Sequence, residues 1–314
     1  MIARLLRLYP PGYRAAYGGE IADTYREMTA GLPRRARLRE AADLAAHALR
    51  VRTGLGPADD LGRFLASAAP FALVAAAVVA AIRLTRWWEG LVVSPSPVLL
   101  SLRTLDAPFA LGLLSSLLVC AGAVVALTGR WAAGVTAAVC GLLVTGALAL
   151  TQPWLYGDRV VVPVVALLTI AVVLACPPEL RPGDRVSAVA VAMGGAAWVP
   201  VVAVEVGVVS GVSTEYGAWP LLVLTATGVV CALRAHREQK ESGRRGPGGT
   251  PRTRPRASGL RETAAMIVAS PPLVAHALDG VRYGSGPDRM VVLALTLPVL
   301  ALLVTAVRAR SRTR

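Results

Sequence analysis

Long apolar runs separated by short polar stretches dominate the chain from residue 64 onward. The hydrocarbon core of a bilayer is about 30 Å thick, so a helix needs about 20 mostly apolar residues to cross it. The pattern predicts eight crossing blocks: 64–82, 107–127, 131–150, 160–176, 186–209, 219–233, 264–278 and 290–307. We therefore expect an all-α, polytopic membrane protein of about eight transmembrane helices, six plus two, with a small N-terminal cytoplasmic helical module.

The seventh block, 264–278, is short and contains the pair Pro271 and Pro272. Two prolines remove two backbone donors from a helix, so a re-entrant or interfacial segment is an alternative to a full crossing. Crossing is favoured because it leaves the Arg-rich tail, 308–314, on the side where most other basic residues fall.

The distribution of Lys and Arg predicts the orientation of the chain. If the N-terminus is cytoplasmic and all eight blocks cross, 27 of the 33 basic residues fall in inside segments and 6 fall outside. Cytoplasmic loops of membrane proteins carry such an excess of basic residues. The sequence therefore predicts a multi-pass protein of the cell (plasma) membrane with both termini in the cytoplasm.

Composition changes along the chain predict its division into segments. The expected order is a cytoplasmic helical module (1–56), a hinge (57–63), a six-helix membrane bundle (64–235), a disordered basic cytoplasmic linker (236–260), a two-helix membrane segment (261–307) and a basic cytoplasmic tail (308–314). The linker is basic and rich in Gly and Pro, without apolar periodicity. Its charges favour contact with anionic lipid head groups.

The net charge of +14 also raises the alternative of nucleic-acid binding. Location argues against it, since the basic residues cluster between and outside the apolar blocks, where the membrane explains them. The lipid bilayer and its anionic head groups are therefore the expected partners, without nucleic acid.

Metal and redox chemistry find little support in the sequence. The four cysteines and three histidines are scattered without the clustering that a zinc site or a disulfide framework requires. His276 and Asp279 lie three residues apart, too few for a metal site, and fit an interfacial hydrogen-bonded pair. We expect no metal and no cofactor.

The sequence of the N-terminal module predicts three short helices. Pro10 and Pro11 separate a helix at 2–8 from a second helix that ends at Gly31-Leu32-Pro33, and a third runs from Leu38 to about Arg52. Along the second helix, apolar residues recur every three to four positions and form one stripe. The stripe is the predicted partner-binding surface: Tyr13, Tyr17, Ile21, Tyr25 and Met28. So small a module buries little surface, so the alternatives are a partner protein, the membrane surface, or self-packing.

Two stretches of the module, LLRLYPPGYRAAYGGEI and LREAADLAAHALRVRTGLG, carry a resemblance. They resemble the N-terminal module of uncharacterised actinobacterial integral membrane proteins, which is similar to the prefix domain of some ABC-transporter permeases and of membrane proteins associated with PadR-type regulators. The resemblance covers residues 1–56. It implies an accessory or signalling role, with a cytoplasmic regulator or an ATPase subunit as partner.

Motifs for catalysis are missing from the sequence. It holds no GxxxxGK[ST], HExxH or GxSxG pattern, so we expect a protein that is not an enzyme. Glu205 is the one acid deep inside an apolar block, five residues after Pro200. An ionisable group at that depth is a functional candidate by default. The alternative function is thus a small transporter or channel-like protein that uses Glu205, and the alternative role of Glu205 is structural.

Overall fold

The computed structural model describes residues 2–55, 59–93, 105–152, 158–176, 184–205, 219–244 and 258–283. All regular structure in these ranges is helical, which confirms the all-α prediction for the described part of the chain. The helices, in chain order, are α1 (Ile2–Leu6), α2 (Pro11–Thr29), α3 (Arg34–Thr53), α4 (Asp60–Val93), α5 (Ala107–Leu127), α6 (Trp131–Thr151), α7 (Val161–Leu174), α8 (Asp184–Glu205), α9 (Trp219–Arg244), α10 (Ser258–Ala269) and α11 (Pro271–Tyr283). The chain divides into two compact units, residues 1–63 with 175–180, and residues 64–174 with 181–314.

The ends of the helices in the first unit follow from local chemistry. Pro11 occupies the first turn of α2, where its missing N–H costs nothing because that donor has no partner within the helix. α3 ends at Gly54, which adopts the left-handed conformation with φ 68°. The N–H of Leu55 then donates to the carbonyl of Arg50 at 2.8 Å, which satisfies one of the orphan groups of the last turn.

α3 begins four residues earlier than the sequence indicated, directly after Pro33. The four added residues, 34–37, are three arginines and an alanine, all good helix formers, so nothing delays the helix once the proline has been passed.

Among the described residues, four helices are long and apolar enough to cross a membrane. The spans are Asp60–Val92, Ala107–Leu127, Trp131–Thr151 and Val186–Val204. The fourth and sixth predicted blocks correspond to shorter apolar helices, Val161–Leu174 and Trp219–Cys231. The eighth, 290–307, lies outside the described residues. Length and composition therefore support a membrane protein, while the predicted count of about eight spans stays a prediction.

The outer surface of these apolar helices carries large aliphatic side chains. Exposed examples on α5 to α8 are Leu114, Leu117, Val124, Leu143, Leu167, Val191 and Val199. Facing water, such a surface would be unfavourable, whereas lipid tails solvate it at no cost.

The core of the second unit is built around α4. Its side chains Phe71, Leu73 and Ile82 are almost wholly buried. At 34 residues α4 extends about 51 Å, well beyond the predicted block 64–82. Hydropathy falls at Arg83, but a fall in hydropathy does not end a helix, and no proline follows before Val93.

α5 and α6 form an antiparallel hairpin whose backbones touch. Gly129, with φ 101°, makes the turn between them. A Cβ added to Gly134 would lie 2.2 Å from the backbone nitrogen of Ala126, and one added to Gly122 would lie 2.6 Å from that of Ala138. Glycine is therefore required at both positions, as it is where helices approach closely in lipid.

The seventh predicted block consists of two helices rather than one. α10 ends at Ala269 and α11 begins at Pro271, with Ser270 between them. The Ser270 carbonyl accepts hydrogen bonds from the N–H groups of Leu273 and Val274, both at 3.0 Å, and so starts the new helix. At 12 and 13 residues the helices are about 18 and 20 Å long, so neither crosses a bilayer alone.

The predicted disordered linker 236–260 is helical at both ends. α9 continues to Arg244, and α10 starts at Ser258. Residues 236–244 are rich in Arg, Glu, Gln and Lys, which extend an existing helix readily although they do not show apolar periodicity. The middle of the linker, 245–257, lies outside the described residues.

Candidate functional site

The three helices of the N-terminal module share a small core. Its buried residues are Tyr9, Gly18, Ala22, Tyr25, Ala41 and Ala48. The two tyrosines contribute large aromatic rings to this core, and the small side chains of alanine occupy the rest of it. Self-packing, one of the three alternatives weighed for this module, therefore accounts for part of the predicted stripe.

Tyr9, in the turn between α1 and α2, contacts α3 through its hydroxyl. The Tyr9 Oη lies 2.8 Å from Nδ1 of His47 and 3.5 Å from the carbonyl oxygen of Leu44. Burial raises the pKa of the Tyr9 phenol above its usual value, and the neighbouring Tyr13 raises it further, while Arg50 acts in the opposite direction. The neutral phenol is thus the form that the folded module favours.

Tyr13 and Tyr17 continue an aromatic row from this core to the surface. The ring of Tyr9 stacks on that of Tyr13 with centroids 5.4 Å apart, and Tyr13 contacts Tyr17 at 4.9 Å. Stacked rings at these distances stabilise one another beyond their buried area. The row holds the Tyr17 ring in a defined position although half of its surface is exposed.

The five residues of the predicted partner-binding stripe take three different environments. Tyr25 is buried in the core, 8% exposed, and its Oη reaches the carbonyl of Arg37 at 3.5 Å. Tyr13 and Ile21 are half-buried. Tyr17 and Met28 are 50% and 53% exposed. Tyr25 therefore belongs to the core of the module, while Tyr17 and Met28, before and after it along the helix, face outward.

Tyr17, Ile21 and Met28 lie on one side of α2. At about 100° per residue their Cα positions fall within about 40° of one another around the helix. We call these three residues the α2 strip. It presents an aromatic ring, a branched aliphatic chain and a thioether, a combination that is common at protein interfaces.

The sequence pattern missed the face that α2 turns to its own module. That face is made of Gly18, Ala22 and Tyr25, and its two small residues are almost invisible to an analysis of hydrophobic spacing. The signal available in the sequence was their spacing of four and three, which matches a helix face suited to close packing.

Glu205 is the last residue of α8, and Pro200 lies within that helix. The side chain of Glu205 lies outside the described residues, so its role stays a prediction.

The described membrane helices bring together polar groups that the sequence did not pair. Ser115 on α5 and Thr145 on α6 are both buried, with their hydroxyl oxygens 3.0 Å apart. His276 on α11 is half-buried. Within the described ranges, no three His, Cys, Asp or Glu residues cluster as metal ligands would.

Comparisons with known proteins find no matching family model, no matching curated protein and no matching solved structure. The resemblance of residues 1–56 to permease prefix modules accordingly stays a prediction. The α2 strip is the candidate site that combines a defined geometry with a surface open to a partner.

Proposed function

We propose that this chain is a non-enzymatic, multi-pass integral membrane protein that docks a cytoplasmic protein through its N-terminal module. The partner class is a regulator or an ATPase subunit, and the role of the chain is that of an accessory or signalling subunit. The single observation that carries the proposal is the exposure of Tyr17 and Met28 on a module that already has its own core.

The grouping of these exposed side chains favours a binding surface over isolated exposed residues. Isolated apolar residues are common on protein surfaces, but the α2 strip adds a half-buried Ile21 between an aromatic ring and a methionine on one helix side. The aromatic row also fixes the Tyr17 ring before a partner arrives. A ring ordered in advance loses less side-chain entropy on binding, so it suits an interface anchor.

The cytoplasmic side is assigned by charge. The excess of Lys and Arg in segments that share a side with the N-terminus supports an N-in, C-in orientation. A module on that side meets soluble cytoplasmic proteins, which fits the regulator or ATPase subunit that the prefix-module resemblance implies.

The experiment is site-specific photo-crosslinking in the native host, followed by mild-detergent purification and mass spectrometry. A benzophenone amino acid at position 17 places the reactive group on the α2 strip. The matched control carries it at Ala16, which is exposed on a different side of the same helix. We expect one specific cytoplasmic protein to be crosslinked from position 17 and not from position 16.

A double variant, Tyr17→Ser with Met28→Ser, gives the complementary result. Both side chains are half exposed, so the module keeps its core while association is lost. If the chain crosslinked from position 17 is purified without any attached protein, or if the partner still co-purifies with the double variant, the module does not dock through the α2 strip.

A further inference from the structure

The second interaction surface of the module lies on α3. Leu38 and Leu49 are 53% and 62% exposed, and Ala42 between them is exposed as well. At about 100° per residue the three positions fall within about 40° of one another around the helix. They form an apolar line along the outside of α3, which we call the α3 line, and they are not part of the α2 strip.

Arginines border the α3 line on both sides. On the same helical projection Arg34 and Arg52 fall on one side of it, and Arg35 and Arg39 fall on the other. All four are exposed. Their long aliphatic stems can lie along an apolar surface while the guanidinium groups reach polar head groups.

Acidic residues are kept away from this face. The two acids of α3, Glu40 and Asp43, project more than about 90° away from the α3 line. The acids of α2, Glu20, Asp23 and Glu27, are all exposed on that helix. Six arginines against two acids give α3 a charge of +4, whereas two arginines against three acids give α2 a charge of −1.

We propose that the α3 line docks on an anionic bilayer surface, with the leucines in the interface and the flanking arginines on lipid phosphates. A helix with an apolar line between basic residues is suited to lie in the plane of a membrane surface. An acidic protein partner would satisfy the arginines but would not require a leucine line between them, so lipid is the occupant that both features fit.

The connection to α4 makes weak docking sufficient. Residues 54–59 join α3 to α4, the first helix long and apolar enough to span a membrane. A connection of six residues is at most about 20 Å long, so the tether between the two helices is short. Docking is then an intramolecular step at high effective concentration, and two leucines with four arginines are enough to hold it.

The test uses the full chain in nanodiscs that hold one copy each, which removes a second copy as the occupant. An environment-sensitive NBD fluorophore is attached at Ala42→Cys in a background in which Cys120, Cys140, Cys176 and Cys231 are alanine. The control carries the fluorophore at Ala16→Cys on α2, which is also exposed. Discs contain phosphatidylcholine alone, or phosphatidylcholine with about one quarter phosphatidylglycerol.

We expect a blue shift and quenching by lipid-borne nitroxide at position 42 in the anionic discs, with water-like emission at position 42 in neutral discs and at position 16 in both. High salt should reverse the shift because it screens charge at the surface. Water-like emission at position 42 in anionic discs would overturn the proposal. An equal shift in both discs, or a shift that requires added cytosolic protein, would overturn it too.

A second variant tests the role of the arginines without disturbing the fold of the module. Arg35→Gln with Arg39→Gln changes only exposed side chains, and should weaken docking about fivefold per arginine, which corresponds to about 1 kcal/mol each near an anionic leaflet. An unchanged docked fraction would count against the proposal. The inference rests on the membrane placement of the module proposed above, but not on the α2 strip. Loss of a protein partner through Tyr17→Ser with Met28→Ser therefore leaves the disc result unchanged.

Discussion

The α5–α6 hairpin and the α2–α3 pair are both two helices joined by a short turn, yet they are held together in different ways. In the hairpin, Gly122 and Gly134 bring one backbone against the other, with no room for a single added carbon. In the module, Gly18 would receive a Cβ with only the flexible Arg14 side chain nearby, at 3.3 Å. The first interface is fixed by backbone contact and the second by side chains.

The surroundings proposed for each pair, lipid for the hairpin and water for the module, account for this difference. In lipid, apolar side chains gain little by leaving their solvent, so association depends on close van der Waals contact. In water, burying Tyr9 and Tyr25 drives the association of the module helices, and a few tyrosines and alanines make a small core. A small core leaves apolar side chains outside, where they can serve a partner or a membrane surface.

Of the substitutions considered, Gly134→Val should reduce the stability of the protein the most. The new Cβ would meet the backbone of Ala126 at 2.2 Å, and backbone cannot move aside as a side-chain end can. We expect the hairpin to lose more than about 3 kcal/mol, beyond the usual range for an overpacked core. Thermal unfolding in detergent measures the loss.

The control for Gly134→Val is Gly195→Ala on α8, where nothing lies within 4 Å of the added carbon. Alanine favours a helix over glycine by about 1 kcal/mol, so this variant should be as stable as the parent or slightly more so. Equal melting temperatures for the two variants would show that the α5–α6 backbones do not touch.

Tyr25→Ala tests the core of the module in the same way. Removing a buried aromatic ring costs roughly 3 kcal/mol, which is enough to open a domain of this size locally. We expect rapid trypsin cleavage after Arg26 and Arg37, with an unchanged melting transition of the membrane helices. Tyr17→Ala, on the exposed α2 strip, should leave the cleavage rate within about twofold of the parent.

If Tyr17→Ala instead opened the module as Tyr25→Ala does, the α2 strip would belong to the core. The proposed docking surface would then be lost, since its central aromatic ring would already be used by the fold.

Ser115→Ala should have a moderate effect on the hairpin. The substitution removes the contact between the Ser115 and Thr145 hydroxyls, 3.0 Å apart and buried between α5 and α6. Hydrogen bonds between membrane helices contribute about 0.6 kcal/mol on average, so a fall in melting temperature of about 1 to 2 °C is expected. Ser116→Ala is the matched control because its hydroxyl bonds only the carbonyl of Gly112 in its own helix. Equal losses would mean that the interhelical bond adds nothing.

Hydropathy predicted the helices of the hairpin almost residue by residue, because capping and turn residues stand directly at the ends of the apolar blocks. The blocks 107–127 and 131–150 became helices at Ala107–Leu127 and Trp131–Thr151. Asp106 caps the first helix by accepting a hydrogen bond from the Phe109 N–H, and Gly129 turns the chain. Hydropathy did not indicate the extension of α4 beyond residue 82. The break at Ser270 was indicated by the pair Pro271 and Pro272 and not by any apolar feature.

The candidate site was harder to predict because periodicity identifies an apolar stripe without saying what covers it. Tyr13, Tyr17, Ile21, Tyr25 and Met28 do share one broad side of α2. The fold then uses the neighbouring side, with Gly18 and Ala22, and takes Tyr25 for its core. Which edge of the stripe remains exposed depends on where α1 and α3 pack, and spacing within one helix does not contain that information.

The stability of the module should also fall at alkaline pH. The pKa of Tyr9 is raised in the folded state, so its neutral form stabilises the fold fully below the unfolded pKa of about 10, and the contribution is lost as pH rises above it. Trypsin should therefore cut the module faster above about pH 10. Tyr9→Phe should reduce this pH dependence. If the parent and Tyr9→Phe show the same pH dependence of trypsin cleavage, Tyr9 does not cause the loss of stability at alkaline pH.

Glu205→Gln carries the smallest expected effect, because the proposed function lies in the module and not in the membrane helices. The substitution replaces the ionisable carboxyl group of Glu205 on α8 by a neutral amide of the same size. We expect no change in proton or cation flux in proteoliposomes, in protein yield, or in crosslinking from position 17. A changed flux with normal folding would favour the alternative, a small transporter or channel-like protein that uses Glu205, because an ionisable group in an apolar helix is retained at a cost. The function would then belong to the membrane helices, and the α2 strip would be an accessory to transport.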